Sequence, residues 1–230
     1  MNPLLLLHGA IGSSSQLLPL QKEFGKYFSQ VPVFDFPGHG GKGFPAAPFS
    51  IQLFAESVLE FLDSEKILRV DVFGYSMGGY VALYLARHFP ERVGKIFTLA
   101  TKLDWNEGIA AKEVKLLNPE KILEKVPQFA EALEKSHAPN DWKMVLDKTS
   151  EMMLGLGKNP SLGNDDFLKI GNRILLTVGE RDMMVSVAET ENVFRRLKNA
   201  EFNIIADTPH PIEQVDVMRI VEMGKKFFVE

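Results

Sequence analysis

The sequence predicts an α/β protein built on a doubly wound, about six-stranded parallel sheet flanked by helices, and two observations carry that expectation. Short apolar runs recur at residues 4–7, 31–34, 70–73, 96–99, 174–178 and 202–205. Each is mostly branched or aromatic with few polar interruptions, the pattern of strands buried on both faces. Between the runs lie longer stretches of helical period, and strand–helix alternation implies a parallel sheet with helices on both sides.

The first run, Leu4 to Leu7, ends at His8-Gly9 and has no lysine or arginine before it. It lacks the charged start, long apolar core and small-residue cleavage site of a secretion signal, so it is expected to be a strand. A helical pattern follows at residues 16–28. After the second run, Ser50 is a candidate N-cap, and Ile51, Phe54, Ala55, Val58, Phe61 and Leu62 share one helical face. Helices are also expected at residues 78–88, 187–197 and 212–228.

One interval breaks the rhythm. Residues 102–166 carry only helical pattern, punctuated by Pro119, Pro127, Pro139 and Pro160, rich in lysine and glutamate and without arginine. Its apolar positions, among them Ile109, Leu117, Phe129, Leu133 and Val145, favour a packed helical cap over the sheet's C-terminal edge. The expected division is a core of residues 1–101 and 167–230 with a cap of residues 102–166 inserted.

Composition narrows the function classes. Among 230 residues there is no cysteine, which removes disulfides, thiolate nucleophiles and Cys-ligated zinc and fits a reducing, cytoplasmic setting. A net charge of −4 gives no basic surface for nucleic acid. No apolar stretch approaches the roughly 20 residues of a membrane span. The oligomeric state is not legible, and no metal or other cofactor is expected.

The stretch that points most directly to chemistry is Gly74-Tyr-Ser-Met-Gly-Gly79, at the end of a buried run and the start of a helix. Ser76 between Gly74 and Gly78 is G-x-S-x-G in the context that gives it meaning. A sharp strand-to-helix turn lifts a serine hydroxyl above the sheet, and small neighbours are needed to avoid collision. Serine is a weak nucleophile without a base, so one of five histidines must lie within reach. His88 falls at the far end of the helix after Ser76, and a solvated helix end is the simpler role for His137. His8 and His39 sit in glycine-rich turns, where a structural hydrogen bond is the simpler account. His210 follows the last strand and is the preferred base. Asp182, in Gly179-Glu-Arg-Asp past the fifth run, is the preferred acid, ahead of Glu180, Asp104 and Asp207. Backbone N–H groups of Met77 and Ala10 are the expected oxyanion donors. Trp105, Trp142, Met144, Met152, Met183 and Met184 are candidates to line an apolar acyl pocket, although such residues at helical spacing are more often core.

His8-Gly9, Asp35-Phe-Pro-Gly-His-Gly40, the Ser76 elbow, Gly179 to Asp182 and His210, in this order, resemble the α/β-hydrolase superfamily. The resemblance covers the chain outside the cap. It implies a serine hydrolase of small esters or related acyl compounds, with a small-molecule partner and Ser76, Asp182 and His210 as triad. Members of that family usually carry two further strands before the His-Gly strand. Only Met1, Asn2 and Pro3 precede it here, so the sheet is expected to lack them. The elbow and Pro37-Gly-His-Gly-Gly41 are also similar to the pyruvate-eliminating synthases of menaquinone biosynthesis. Those place an arginine after the second elbow glycine, where this chain has Tyr80, so a lyase or C–C hydrolase ranks second. A weakly catalytic ligand receptor is the rival from another class.

Overall fold

The computed structural model describes residues 2–229. Its strands are β1 (Leu4–Leu7), β2 (Val33–Phe34), β3 (Val70–Tyr75), β4 (Val93–Leu99), β5 (Ile174–Gly179) and β6 (Ala200–Ile205). They form a single sheet of six strands in the order β2-β1-β3-β4-β5-β6, with every adjacent pair parallel. Helices α1 (Leu18–Phe24) and α10 (Val217–Phe228) cover one face, and α2 (Ile51–Ser64), α3 (Met77–His88) and α9 (Val187–Phe194) cover the other.

Why a run of four leucines makes the second strand of this sheet is clear from its burial. Leu5 and Leu7 join the cluster under α2 and α3, while Leu4 and Leu6 join the cluster under α1 and α10. All four are fully buried, each contributing about 1.5–3 kcal/mol. The edge strands differ: β6 leaves Glu201, Asn203 and Ile204 exposed, because no strand covers its outer side.

Several boundaries depart from the sequence expectation, and three of them have a clear local reason. β2 begins at Val33, since Pro32 has no N–H to pair, although its carbonyl accepts from Leu6 N at 2.9 Å. β4 begins earlier, at Val93, and its polar Lys95 is accommodated because its ammonium donates to Phe227 O at 3.1 Å and Phe228 O at 2.8 Å. The expected final helix is divided into a short 3₁₀ turn, Ile212–Gln214, and α10, whose N-cap Asp216 accepts from Met218 N and Arg219 N.

Between β4 and β5 come only helices: α4 (Glu107–Val114), α5 (Pro119–Lys125), α6 (Pro127–His137), α7 (Trp142–Lys158) and α8 (Asn164–Phe167). Leu117, Ile122, Ala130, Leu133, Trp142, Leu146 and Met153 form their shared cluster, against which Ala10, Ile11 and Trp105 pack. Met152, Leu156, Leu162 and Phe167 instead join the main core, and buried Tyr80 accepts Leu162 N–H on its hydroxyl at 2.9 Å. The helical segment is thus fixed to the sheet at both of its ends. None of the helices among the described residues is long and apolar enough to cross a membrane.

Candidate active site

β3 delivers Tyr75 and Ser76 to the C-terminal edge of the sheet. Ser76 has φ 51° and ψ −116°, a strained conformation for a residue with a side chain. The strain persists because its neighbours pack backbone against backbone. A Cβ on Gly74 would lie 2.5 Å from Gly79 Cα, and one on Gly78 would lie 2.7 Å from His8 O. Met77 is the first residue of α3, so its N–H has no intrahelical acceptor.

The loop after β1 lies beside this elbow: a Cβ on Gly9 would come within 3.3 Å of Ser76 Cβ. His8 is fully buried, with Nδ1 2.7 Å from Gly9 O and Nε2 accepting from Phe36 N at 3.2 Å. The second bond fixes the tautomer with the proton on Nδ1, which donates to Gly9 O. Burial pushes the His8 pKa down to about 3, so the ring is neutral. In a trans peptide the C=O and N–H point opposite ways, so the grip on Gly9 O also orients Ala10 N–H. Gly12 N–H closes the turn onto Gly9 O at 3.2 Å.

On the other side of the elbow, the loops after β5 and β6 are laced together. Arg181 N–H donates to Thr208 O at 3.0 Å, Asp207 N–H donates to Glu180 Oε2 at 3.1 Å, and Arg181 pairs with Asp207 at 2.6 Å. The lacing sets His210 Nδ1 2.7 Å from Asp182 Oδ2. The other oxygen of Asp182 accepts Met184 N–H and Val185 N–H, each at 2.8 Å. Tyr75 O–H donates to His210 O at 3.0 Å, tying the residue before Ser76 to the loop that carries His210. Lys102 Nζ donates to Met184 O at 2.7 Å, and Glu189 accepts from Leu103 N and Ser186 N, so the end of β4 braces the acid loop. Among the described residues Ser76 makes no side-chain cap bond, and its Oγ has no hydrogen bond to His210. Bonds of this kind often tighten only with substrate in place.

Among the described residues, none of the other histidines bonds Asp182. His39 is buried, with Nδ1 3.1 Å from Pro37 O, and His88 is exposed at the end of α3. His137 departs from the sequence expectation of a solvated helix end. It is fully buried, because the chain after α6 folds down onto the loops after β1 and β2. Neither Glu180, Asp207 nor exposed Asp104 bonds the His210 ring. Of the pocket candidates, Trp105 packs beside Ala10 and Ile11, and Trp142 belongs to the same cluster. Met152 faces the main core. Met144 lies on the outer face of α7, and Met183 is 88% exposed beside Asp182. Met183 and Met184 both border a cleft of about 640 Å³ next to Asp182, together with Lys102, Asp104, Ile109 and Glu189. The Tyr75 hydroxyl and His137 were missed from sequence. Both bond backbone carbonyls far along the chain, and no local pattern signals that.

A sheet of this order with a serine elbow on its third strand defines an α/β-hydrolase architecture. Residues 2–150 match the family model for the alpha/beta hydrolase fold, and the chain belongs to that family. It is 31% identical over 110 residues to 3-oxoadipate enol-lactonase 2 of Acinetobacter baylyi, a match covering 47% of this chain and 40% of that protein. It is 38% identical over 87 residues to a pimeloyl-(acyl-carrier protein) methyl ester esterase of Neisseria meningitidis, covering 35% and 32%. The matches span less than half the length of these curated relatives. Among solved structures, a hydrolase from Pseudomonas aeruginosa PA01 superposes with TM-score 0.79 at 18% identity, covering 100% of this chain and 91% of that one. The enol-lactonase from Burkholderia xenovorans LB400 superposes with TM-score 0.78 at 19% identity, covering 100% and 92%. At such identities the likeness is one of fold.

Proposed function

We propose that the protein is a serine hydrolase of a small ester, lactone or related acyl compound. The observation that carries this reading is the 2.7 Å Asp182–His210 pair, tied through Tyr75 O–H to the strand end that holds Ser76 at φ 51°. In the proposed reaction Ser76 Oγ attacks the carbonyl carbon and His210 Nε2 takes its proton. Asp182 holds the imidazole with its proton on Nδ1 and stabilises the imidazolium. The carbonyl oxygen becomes an oxyanion facing Ala10 N–H and Met77 N–H. Its collapse expels the alcohol, which receives the proton from His210. Water, activated by the same base, then releases the acid and regenerates Ser76. Loss of one oxyanion donor in such sites costs about 10²–10³ in rate, so the rigid grip of His8 on Gly9 O is central to the proposal.

Residues 102–166 are proposed as the cap, with Trp105, Trp142 and Met153 contributing an apolar roof. The names of the curated relatives, an enol-lactonase and a methyl ester esterase, agree with acyl chemistry. The lyase reading is disfavoured by Tyr80, which is buried and turned to Leu162 rather than supplying a cation. A fluorophosphonate probe and short p-nitrophenyl esters test the proposal. Labelling with turnover, both lost in Ser76→Ala, is expected. Labelling without turnover on any acyl chain favours a receptor, and absence of labelling overturns the reading.

A further inference from the structure

Resting on the serine-hydrolase reading, we infer that His137 is a positioning residue. From the cap it holds the turn that carries the Ala10 oxyanion donor, so the hole is formed only when α6 is seated. His137 closes α6, and its ring is fully buried at the contact with the core. Its Nδ1 accepts Gly40 N–H at 3.2 Å, which leaves the proton on Nε2, and Nε2–H donates to Ile11 O at 2.9 Å. The ring therefore joins three segments, the cap and the loops after β1 and β2, through one donor and one acceptor.

The carbonyl it grips belongs to a residue that needs holding. Ile11 has φ +53°, a left-handed conformation unfavourable for a β-branched side chain by about 1–2 kcal/mol. Such a residue persists only where its surroundings over-determine it. The turn from Gly9 to Gly12 is closed at one end by Gly12 N–H on Gly9 O, and His8 fixes the Gly9–Ala10 peptide. His137 supplies the hold at the other end, on Ile11, while the Ile11 side chain packs against the cap cluster. Ala10 lies between the two histidine grips. Released from His137, the strained turn would relax, and the Ala10 N–H would leave the place where oxyanion charge develops.

The neighbouring bonds are stitching of another kind. Ser136 Oγ lies 2.7 Å from Ser13 Oγ, and Asn140 Nδ2 donates to Lys42 O at 2.6 Å and Gly38 O at 3.2 Å. These fasten the cap without touching the Gly9–Gly12 turn.

The test uses steady-state hydrolysis of a p-nitrophenyl ester by the full chain, with assays kept below the melting midpoint of each variant. His137→Gln places an amide N–H where Nε2 stood and keeps the donor to Ile11 O. His137→Asn reaches only as far as Nδ1, keeping a Gly40 acceptor and losing the Ile11 bond. His137→Phe, which retains the ring in the aromatic cluster, replaces Asn if that variant does not fold. The expected result is a kcat about ten- to a hundredfold lower for Asn or Phe, with KM within about threefold. Gln should hold kcat within about threefold, and Ser136→Ala within about twofold. Equal kcat for Gln and Asn, a loss carried by KM alone, or an equal loss in Ser136→Ala overturns the inference. Failure of the underlying reading is separate, since it would show as turnover surviving in Ser76→Ala.

Discussion

Two groups of histidines stand at the same edge of the sheet, and their surroundings are opposite. His210, after β6, faces the Asp182 carboxylate at 2.7 Å. His8, His39 and His137, across the elbow, face backbone groups and one another, with ring centroids 5.3 and 5.8 Å apart in turn. A carboxylate on Nδ1 prepares an imidazole to accept a second proton. Burial opposes it in all three, and in His8 and His137 a backbone N–H also occupies one ring nitrogen. Burial lowers the pKa of all three clustered rings, to about 3 for His8. Each ring is thus distinguished by its partners, and in the proposed mechanism the two groups divide the site between proton transfer and geometry.

The largest effect expected from this division is on the proton-transfer side. Ser76→Ala or His210→Ala should lower kcat for a p-nitrophenyl ester by about 10⁴-fold or more while leaving the melting temperature within a few degrees. Activity surviving in His210→Ala would place the base elsewhere and dissolve the comparison. Asp182→Asn should cost about 10⁴-fold in kcat, because the amide N–H turns the imidazole to the wrong tautomer. The carboxylate oxygen that accepts Met184 N–H and Val185 N–H has an amide oxygen to replace it, so the loop should keep its shape. Near-normal activity in Asp182→Asn, with loss in Asp104→Asn, would show that the acid has been misassigned.

How much of this could be read from residues alone follows the same divide. Strands announced themselves where both faces are apolar, as in Leu4 to Leu7. They were misjudged where a polar residue is satisfied by a distant one, as when the Lys95 ammonium donates to Phe227 O and Phe228 O within β4, which starts at Val93. Ser76, Asp182 and His210 could be singled out because each follows a strand, and in a parallel sheet all strand ends converge on one edge. His137 follows no strand. It ends a polar helix, and its acceptor Ile11 lies 126 residues earlier, so a local pattern reads it as solvated.

The scaffolding side makes its own prediction, smaller and visible in stability rather than rate. Because the folded-state pKa of His8 lies below its ordinary value of 6.5, the unfolded chain takes up the proton first as pH falls. The contribution is complete above pH 6.5 and declines between there and about pH 3, by up to about 1.4 kcal/mol per pH unit. His39 and His137 shift in the same direction and steepen the decline. Asp35, 3.8 Å from His8 Nε2, and Lys42 are the nearest charges, and they oppose each other. Urea unfolding at pH 7 and pH 5.5 should therefore show a clear loss of stability at the lower pH. His39→Phe removes one titrating ring from among Phe36, Phe49 and Phe54, and should make that loss smaller. Equal losses in parent and variant would mean that the cluster is already open to protons in the folded state. The neutral scaffold set against His210 would then have no basis.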